Sequence, residues 1–525
     1  MKKNIFFINF NEKILILLLI FFSIIINQYY GNKGIFPVDS FSHFDSGFRV
    51  LLGEDPFKDY WVVSGPLLDY MQSIFFYFFG VNWQSYIFRA SLFNAIITIS
   101  TFFVLRNFNL KVYQSFFYSL LFSVLAYPSS GTPFVDHHSA FFSLLGIYSL
   151  ILGIKNEKKI YWFLLPILLG AGFLSKQVPS AYVIICTIII LIFFTISQKK
   201  YYWIKYCAIS SLIFISFLLI FGNTQGIHLF SFLEQYIFYP QTIADQRFGD
   251  YKLTFDGVIS HFKFVYISLI PLLYFNIKNI TKNINYTKKK DFCYFLILIS
   301  FTISLILHQV LTKNQTFIFF LIPILIAFSN INIYQLNFKS NISIGTILLI
   351  ICASITLKYH IRFNEQRKFH ELKYVNFQLA QPATKIDNKF RGLIWITPEY
   401  KDNPDKEIND IKKIKSELLN DKRKKMLISN YSFFSAILNE KLFSPSRWYL
   451  SDGTDFPLKN NKYFGSYKSL LIKIIKNNNI EVIYTIHPQE SIILYKYIDK
   501  SCFFEKEISD RLKSHELKSC NEINS

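Results

Sequence analysis

Pro66-Leu-Leu-Asp-Tyr-Met-Gln-Ser-Ile-Phe-Phe-Tyr-Phe-Phe-Gly-Val81 decides how the rest of the chain is threaded. A helix that crosses a bilayer needs about 20 apolar residues, and this segment is shorter and carries a polar stripe, Asp69 and Gln72. If it spans, every later loop changes side. The lysine-rich connections Arg106/Lys111, Lys155/Lys158/Lys159, Lys199/Lys200/Lys205, Lys282/Lys288/Lys289/Lys290 and Lys339 would then face outward. Connections on the cytoplasmic side collect Lys and Arg, so the segment is read as an amphipathic helix lying in the outer interface. The apolar runs 10–28, 86–106, 111–128, 138–154, 160–176, 179–197, 204–223, 261–277, 292–311, 316–332 and 342–358 are then about 11 transmembrane helices, with the N-terminus inside and the C-terminus outside.

Composition agrees. The 525 residues are 52% hydrophobic and 19% aromatic, with only 17% charged, against roughly 25% in soluble domains. The deficit is confined to the first two thirds. The expectation is a polytopic α-helical membrane domain, residues 1–358, followed by a small soluble α/β domain, residues 359–525. The net charge of +21 comes from short basic clusters between apolar runs, which reads as topology and excludes nucleic acid as a partner. Met1-Lys-Lys and the first apolar run resemble a signal sequence, but no small-residue cleavage site follows, so the first helix is read as retained. Cys502 and Cys520 would be able to pair if the tail is extracytoplasmic.

In the tail, Gly392–Thr397, Met426–Ser429 and Glu481–Ile486 read as short buried strands. Asn403-Pro404 opens a helix with Ile408, Ile411, Ile414 and Leu418 on one face. Strand and helix alternate, so a parallel sheet is expected.

The outer loops, 31–85, 129–137, the break near 177, 224–260 and 308–315, gather the polar residues that stand oddly close to hydrocarbon. The first carries five acids (Asp39, Asp45, Glu54, Asp55, Asp59) against three bases (Lys33, Arg49, Lys58) between Gly31 and Ser64, and most of them read as solvated. The second ends in Asp136-His137-His138. Asp136 and His138 are either ligands for a divalent cation such as Mn²⁺ or Mg²⁺, or Asp136 caps the helix that follows. Lys176, at an outer helix end, would meet a lipid phosphate or simply snorkel. Arg247 and Lys313 stand in the later outer loops and offer weaker versions of the same choice.

Asp39, fourteen residues before Gly53, then Gly53-Glu-Asp-Pro-Phe-Lys-Asp59 and Ser64-Gly-Pro66, resembles the first outer loop of the GT-C glycosyltransferases. These membrane enzymes use polyprenyl-phosphate sugars and include protein mannosyltransferases and the lipid A aminoarabinose transferase. Asp136-His-His is similar to the metal-binding element of the second outer loop in oligosaccharyltransferase catalytic subunits. The resemblance covers about residues 10–335. It lacks the Trp-Trp-Asp signature of oligosaccharyltransferases, which favours transfer of a single sugar.

What the resemblance implies is an inverting hexosyl- or pentosyltransferase of the inner membrane that moves a sugar from a polyprenyl-phosphate donor to an acceptor hydroxyl on its outer face. The acceptor would be a glycan, lipid or protein. Asp39 would be catalytic, Asp59, Lys176, Arg247 and Lys313 substrate-binding, and Asp136 and His138 metal ligands. The alternatives are a transporter or flippase, or a lipid-linked polysaccharide polymerase or ligase. Transporters place ionisable groups near the midplane of spans, whereas here they sit at outer helix ends.

Overall fold

The computed structural model describes residues 10–127, 130–243, 254–282, 289–312, 318–335, 341–366, 372–373, 375–450, 452–487 and 491–520. Among them, eight helices have the length and apolarity to cross a membrane: Phe10–Gly31, Trp83–Asn107, Val135–Asn156, Gln177–Gln198, Tyr202–Thr224, Lys263–Lys282, Lys290–Thr312 and Ile344–Asn364. Val112–Ala126, Lys159–Ser175 and Leu321–Ile333 are shorter apolar helices. Each of the eleven apolar runs thus holds a helix among the described residues, and the chain is a polytopic helical membrane protein.

By contacts the chain forms two compact units, neither continuous in sequence. The first unit holds Met1–Gly31, Ile87–Phe217 and Tyr251–Phe369; the second holds Asn32–Tyr86, Leu218–Asp250 and His370–Ser525. The first outer loop thus belongs with the C-terminal segment, where a sequential division near residue 358 would separate them.

In the first unit, Val135–Asn156 is the central helix, 89% buried over its most apolar window, whereas Tyr202–Thr224 is 6% buried and leaves Leu212, Ile213 and Ile215 exposed. A helix with apolar residues all round is either core or lipid-facing, and these two are the extremes. The central helix lies close against Lys159–Ser175 because it presents glycines: a Cβ on Gly146 would come within 2.8 Å of Leu169, and one on Gly153 within 3.0 Å of the Trp162 ring. Small residues allow this kind of approach between membrane helices.

In the second unit, Pro66–Phe79 is a helix of 14 residues. Gly65 precedes it at φ 68° and Gly80 ends it at φ 80°, left-handed geometry that glycine adopts without penalty. The polar stripe is turned inward. Asp69 and Gln72 are fully buried, while Ile74, Tyr77, Phe78 and Phe79 are exposed. Asp69 faces inward because its hydrogen-bond donors lie there.

The C-terminal segment carries the expected helix, Pro404–Asn420. Asn403 caps it by accepting from the Lys406 N–H at 3.2 Å, and Ile408, Ile411, Ile414 and Leu418 are buried. Strands β3 (Lys425–Ile428) and β4 (Val482–Ile486) pair in parallel, as alternation requires. The sheet as a whole is mixed. Its order is β3-β4-β6-β5, with β6 (Leu512–Leu517) antiparallel to β4 and to β5 (Phe503–Ser509). This last hairpin is not evident in the sequence because β5 is an edge strand whose Phe504, Glu505, Lys506 and Glu507 are all exposed. Ile394–Trp395 (β2) pairs instead with Gln381–Pro382 (β1) in a separate two-stranded ladder.

Cys502 and Cys520 form a disulfide across a separation of 18 residues. It ties the chain beyond β6 back to the start of β5. Closing a loop of this length is worth roughly 3 kcal/mol. Cys520→Ser should therefore lower the thermal midpoint of the oxidised protein to that of reduced wild type. A wild-type midpoint that reductant leaves unmoved, with both thiols alkylated in the unreduced protein, would contradict this.

Candidate active site

Two clusters of buried charge stand out, one in each unit. The second unit contains the first outer loop, and it is folded in rather than solvated. Gly34 and Ile35 donate to the carbonyls of Ile394 and Ile396 at 2.9 and 3.1 Å, and the Trp61 N–H donates to the Pro445 carbonyl at 2.9 Å. Phe41 packs against Phe390 and Phe433 at ring-centroid distances of 5.5 and 4.9 Å. The acidic residues go inside with the loop: Asp45, Glu54 and Asp55 are buried. Solvation is not needed because partners are supplied. Arg49 bonds Glu54 through Nε at 2.7 Å and lies over the Tyr60 ring at 4.2 Å. Asp55 accepts from the Tyr70 hydroxyl at 3.0 Å.

The centre of this cluster is Asp69. Its Oδ1 accepts from His43 Nδ1 at 2.7 Å and Ser46 Oγ at 2.5 Å, and its Oδ2 accepts from the Tyr60 hydroxyl at 3.0 Å. The Arg447 guanidinium stands 3.6 Å from Oδ1 and also donates to the carbonyl of Ser64. Burial opposes ionisation of Asp69, yet Arg447 and the His43 bond hold its carboxyl below the usual range. Asp45 and Asp455 show the reverse. Burial pushes Asp45 up to about 6 against the pull of Arg49, and pushes Asp455 up to about 7 against that of Arg447.

Asp39 lies in the short helix Pro37–Ser40 and is half-buried. Its backbone is fixed at both ends, the N–H donating to the Phe36 carbonyl at 3.1 Å and the carbonyl accepting from Ser42 Oγ at 3.2 Å. Asp59 is half-buried and turned back on its own loop, where Oδ2 accepts the Asp55 N–H at 2.8 Å. Arg247 and Lys313 lie outside the described residues.

In the first unit, Asp136 sits at the start of the central helix and is buried. Lys176 Nζ donates to both its oxygens, at 2.7 and 2.8 Å, and His308 Nε2 donates to Oδ1 at 2.6 Å. Lys176 occupies the break between Lys159–Ser175 and Gln177–Gln198, with extended backbone at φ −162°, and its carbonyl accepts from Ser139 at 3.1 Å. The Lys176 side chain remains 22% exposed.

This geometry does not suit a metal at Asp136 and His138. A lysine ammonium spans both oxygens of the Asp136 carboxylate, and His308 takes Oδ1 as well. Among the described residues no group of three or more His, Cys, Asp or Glu side chains is disposed to hold a metal.

Sequence reasoning reached Asp136 and Lys176 but not their contact. It missed His43, Tyr60, His308 and Arg447 altogether. Asp69 was visible as part of a polar stripe, and its position on an otherwise apolar helix was the signal. Arg447 has no local signal, because its partners are distant in sequence.

Residues 63–221 match the family described as dolichyl-phosphate-mannose-protein mannosyltransferase. The matched segment takes in Ser64-Gly-Pro66, Asp69, Asp136 and Lys176, and begins after Asp39 and Asp59. The match supports a GT-C membrane glycosyltransferase, the family named by the first-loop pattern. No curated protein matches the chain.

Two of the buried aspartates of the second unit, Asp69 and Asp45, should affect stability with opposite signs. Asp69 has a lowered folded value, so its contribution is present above the unfolded value near 3.9 and is lost as pH falls through the folded one. Asp45, raised to about 6, costs stability once it ionises, and the cost is complete above that pH. Asp45→Asn should raise the thermal midpoint at pH 7 to 8 and lose the advantage near pH 4, whereas Asp69→Asn should lower it at pH 7. Midpoints that move in the same direction at pH 7 would contradict these environments.

Proposed function

We propose that this protein transfers a single sugar, with inversion, from a polyprenyl-phosphate donor to an acceptor hydroxyl on the extracytoplasmic face of the membrane. The observation that carries the reading is the family match over residues 63–221, joined to the Asp39–Pro66 pattern that precedes and overlaps it. The disulfide Cys502–Cys520 supports an oxidising compartment for the C-terminal segment.

In this reading the acceptor oxygen attacks the anomeric carbon as Asp39 takes its proton, general-base work at hydrogen-bond range. The anomeric carbon–oxygen bond breaks, and its electron pair leaves with the lipid phosphate. Asp39 suits the role because it is half-buried on a backbone held at both ends. A lipid phosphate is an anion that a cation can hold. The first unit by itself offers Lys176 as a candidate for that contact: it is bonded to Asp136 and its side chain is still partly exposed. His308 and Asp136 orient it. No step is assigned to a metal, since the side chains at Asp136 do not fit one.

The test is direct. Purified protein in lipid nanodiscs should consume polyprenyl-phosphate-[³H]mannose, or another polyprenyl-phosphate hexose or pentose. EDTA should leave the rate unchanged. Lys176→Ala should lower turnover by roughly 10²-fold or more, on the scale of losing one preorganised electrostatic group, with Lys176→Arg recovering part of it. Donors that stay intact across the panel, in protein that remains folded, would overturn the reading. Full loss in EDTA would return a metal to the site.

A further inference from the structure

Lys263 and Lys358 stand at the ends of two membrane-crossing helices of the first unit, Lys263–Lys282 and Ile344–Asn364. Both are exposed, and Arg362, one helical turn beyond Lys358, is half-buried. The two helix ends meet at Phe264. Lys358 Nζ lies over its ring at 4.1 Å, Lys263 Nζ reaches the same ring at 5.7 Å, and the Tyr359 ring stands 5.9 Å away. Lys263 and Arg362 both act on the charge of Lys358. Among the described residues no carboxylate pairs with any of the three.

This cluster runs against the charge bias. The helix Ile344–Asn364 leads into the segment that carries the disulfide, and on the side opposite the cytoplasm Lys and Arg are scarce. A lone lysine at a helix end snorkels to any headgroup within reach. Three cations held in one place repel one another, as like charges one turn apart on a helix do. An anion between them removes the repulsion. The surface below says which anion. Ile267, Ile270 and Ile277 recur on one exposed face below Lys263, and Leu357, Ile350 and Ile347 do so below Lys358. Such stripes face hydrocarbon, and a free phosphate would leave them unused. A zwitterionic headgroup would bring its own ammonium against three cations.

We propose that Lys263, Lys358 and Arg362 bind the headgroup phosphate of an anionic phospholipid, whose chains lie along the two apolar stripes. The site is separate from Asp136 and Lys176, and it does not depend on the sugar-transfer reading. Basic pockets between membrane helices hold anionic headgroups by the same attraction. A lipid seated here would tie together two helix ends that otherwise repel each other.

Native mass spectrometry of the full-length protein, titrated in detergent micelles with dioleoylphosphatidylglycerol or dioleoylphosphatidylcholine, counts the lipid retained. Phosphatidylglycerol should occupy one site at least about tenfold more tightly than phosphatidylcholine. Lys358→Gln should weaken that site about fivefold, the worth of one cation near a membrane surface toward an anionic lipid, and Lys358→Arg should keep it. The triple change Lys263→Gln, Lys358→Gln and Arg362→Gln should bring retention down to the phosphatidylcholine level. In phosphatidylcholine nanodiscs, added phosphatidylglycerol should raise the thermal midpoint of wild type and leave that of the triple variant unmoved, with a cooperative transition in both. Equal retention of the two lipids by wild type, or preferential retention that survives the triple change, would overturn the proposal. Displacement of phosphatidylglycerol by inorganic phosphate would also overturn it, by assigning the cluster to a free anion. Displacement by an equimolar polyprenyl phosphate would do the same, by assigning it to the donor lipid.

Discussion

The second unit is organised by one buried carboxylate. Asp69 is fully inaccessible, and taking a lone carboxylate out of water costs several kcal/mol even after the protein relaxes around it. The cost is offset only where donors converge, and here they come from three places: His43 and Ser46 on one helix, Tyr60 in the loop after it, and Arg447 from the C-terminal segment. None of these residues can move independently. The same constraint explains why the first outer loop is folded and why its acids tolerate burial. It also explains why the C-terminal segment is part of this unit, since without Arg447 the carboxylate would stay buried and lose its main compensating charge.

The first unit handles its charge differently. Asp136 is also buried and also met by a cation and a histidine, but its cation is partly open to solvent. At the break between two helices, the Lys176 N–H still donates to the Gly172 carbonyl at 3.1 Å, and the hydrogen bond from Ser139 to its own carbonyl fixes the other end. The result is a held lysine whose side chain is still partly exposed. Close packing makes this possible: a Cβ on Gly172 would come within 2.6 Å of Ser180 Oγ and 3.0 Å of Ser143 Oγ, so the helices carrying Asp136 and Lys176 approach where those residues face each other.

The helices were legible because hydrocarbon imposes a length and a composition on each one separately, and every apolar run appears where the sequence placed it. The helix of the C-terminal segment was legible for the same local reason, through Asn403-Pro404 and the spacing from Ile408 to Leu418. The acids of the first loop were misread because composition reports charge but not its partners: Glu54 looks solvated until Arg49 is seen against it. Asp136 shows the limit from the other side. Asp-x-His is a valid ligand spacing, yet a lysine forty residues away and a histidine on another helix take the carboxylate. Only the fold brings them together. The polar stripe on Pro66–Phe79 was noticed, and its direction was not, because an amphipathic helix shows which residues share a face and never which way that face points.

The central claim is that Asp39 takes the acceptor's proton, and its most direct test is the turnover of Asp39→Asn against Asp55→Asn. Both changes remove one charge from the same loop, and only the first removes the proposed base. General-base catalysis supplies roughly 10²–10⁴-fold in rate, so the Asp39→Asn protein should lose at least about 10²-fold in turnover of a polyprenyl-phosphate sugar while keeping its thermal midpoint. The Asp55→Asn protein should stay within a few-fold of wild type. An Asp39→Asn protein as active as wild type, or equal losses in the two variants, would contradict the account.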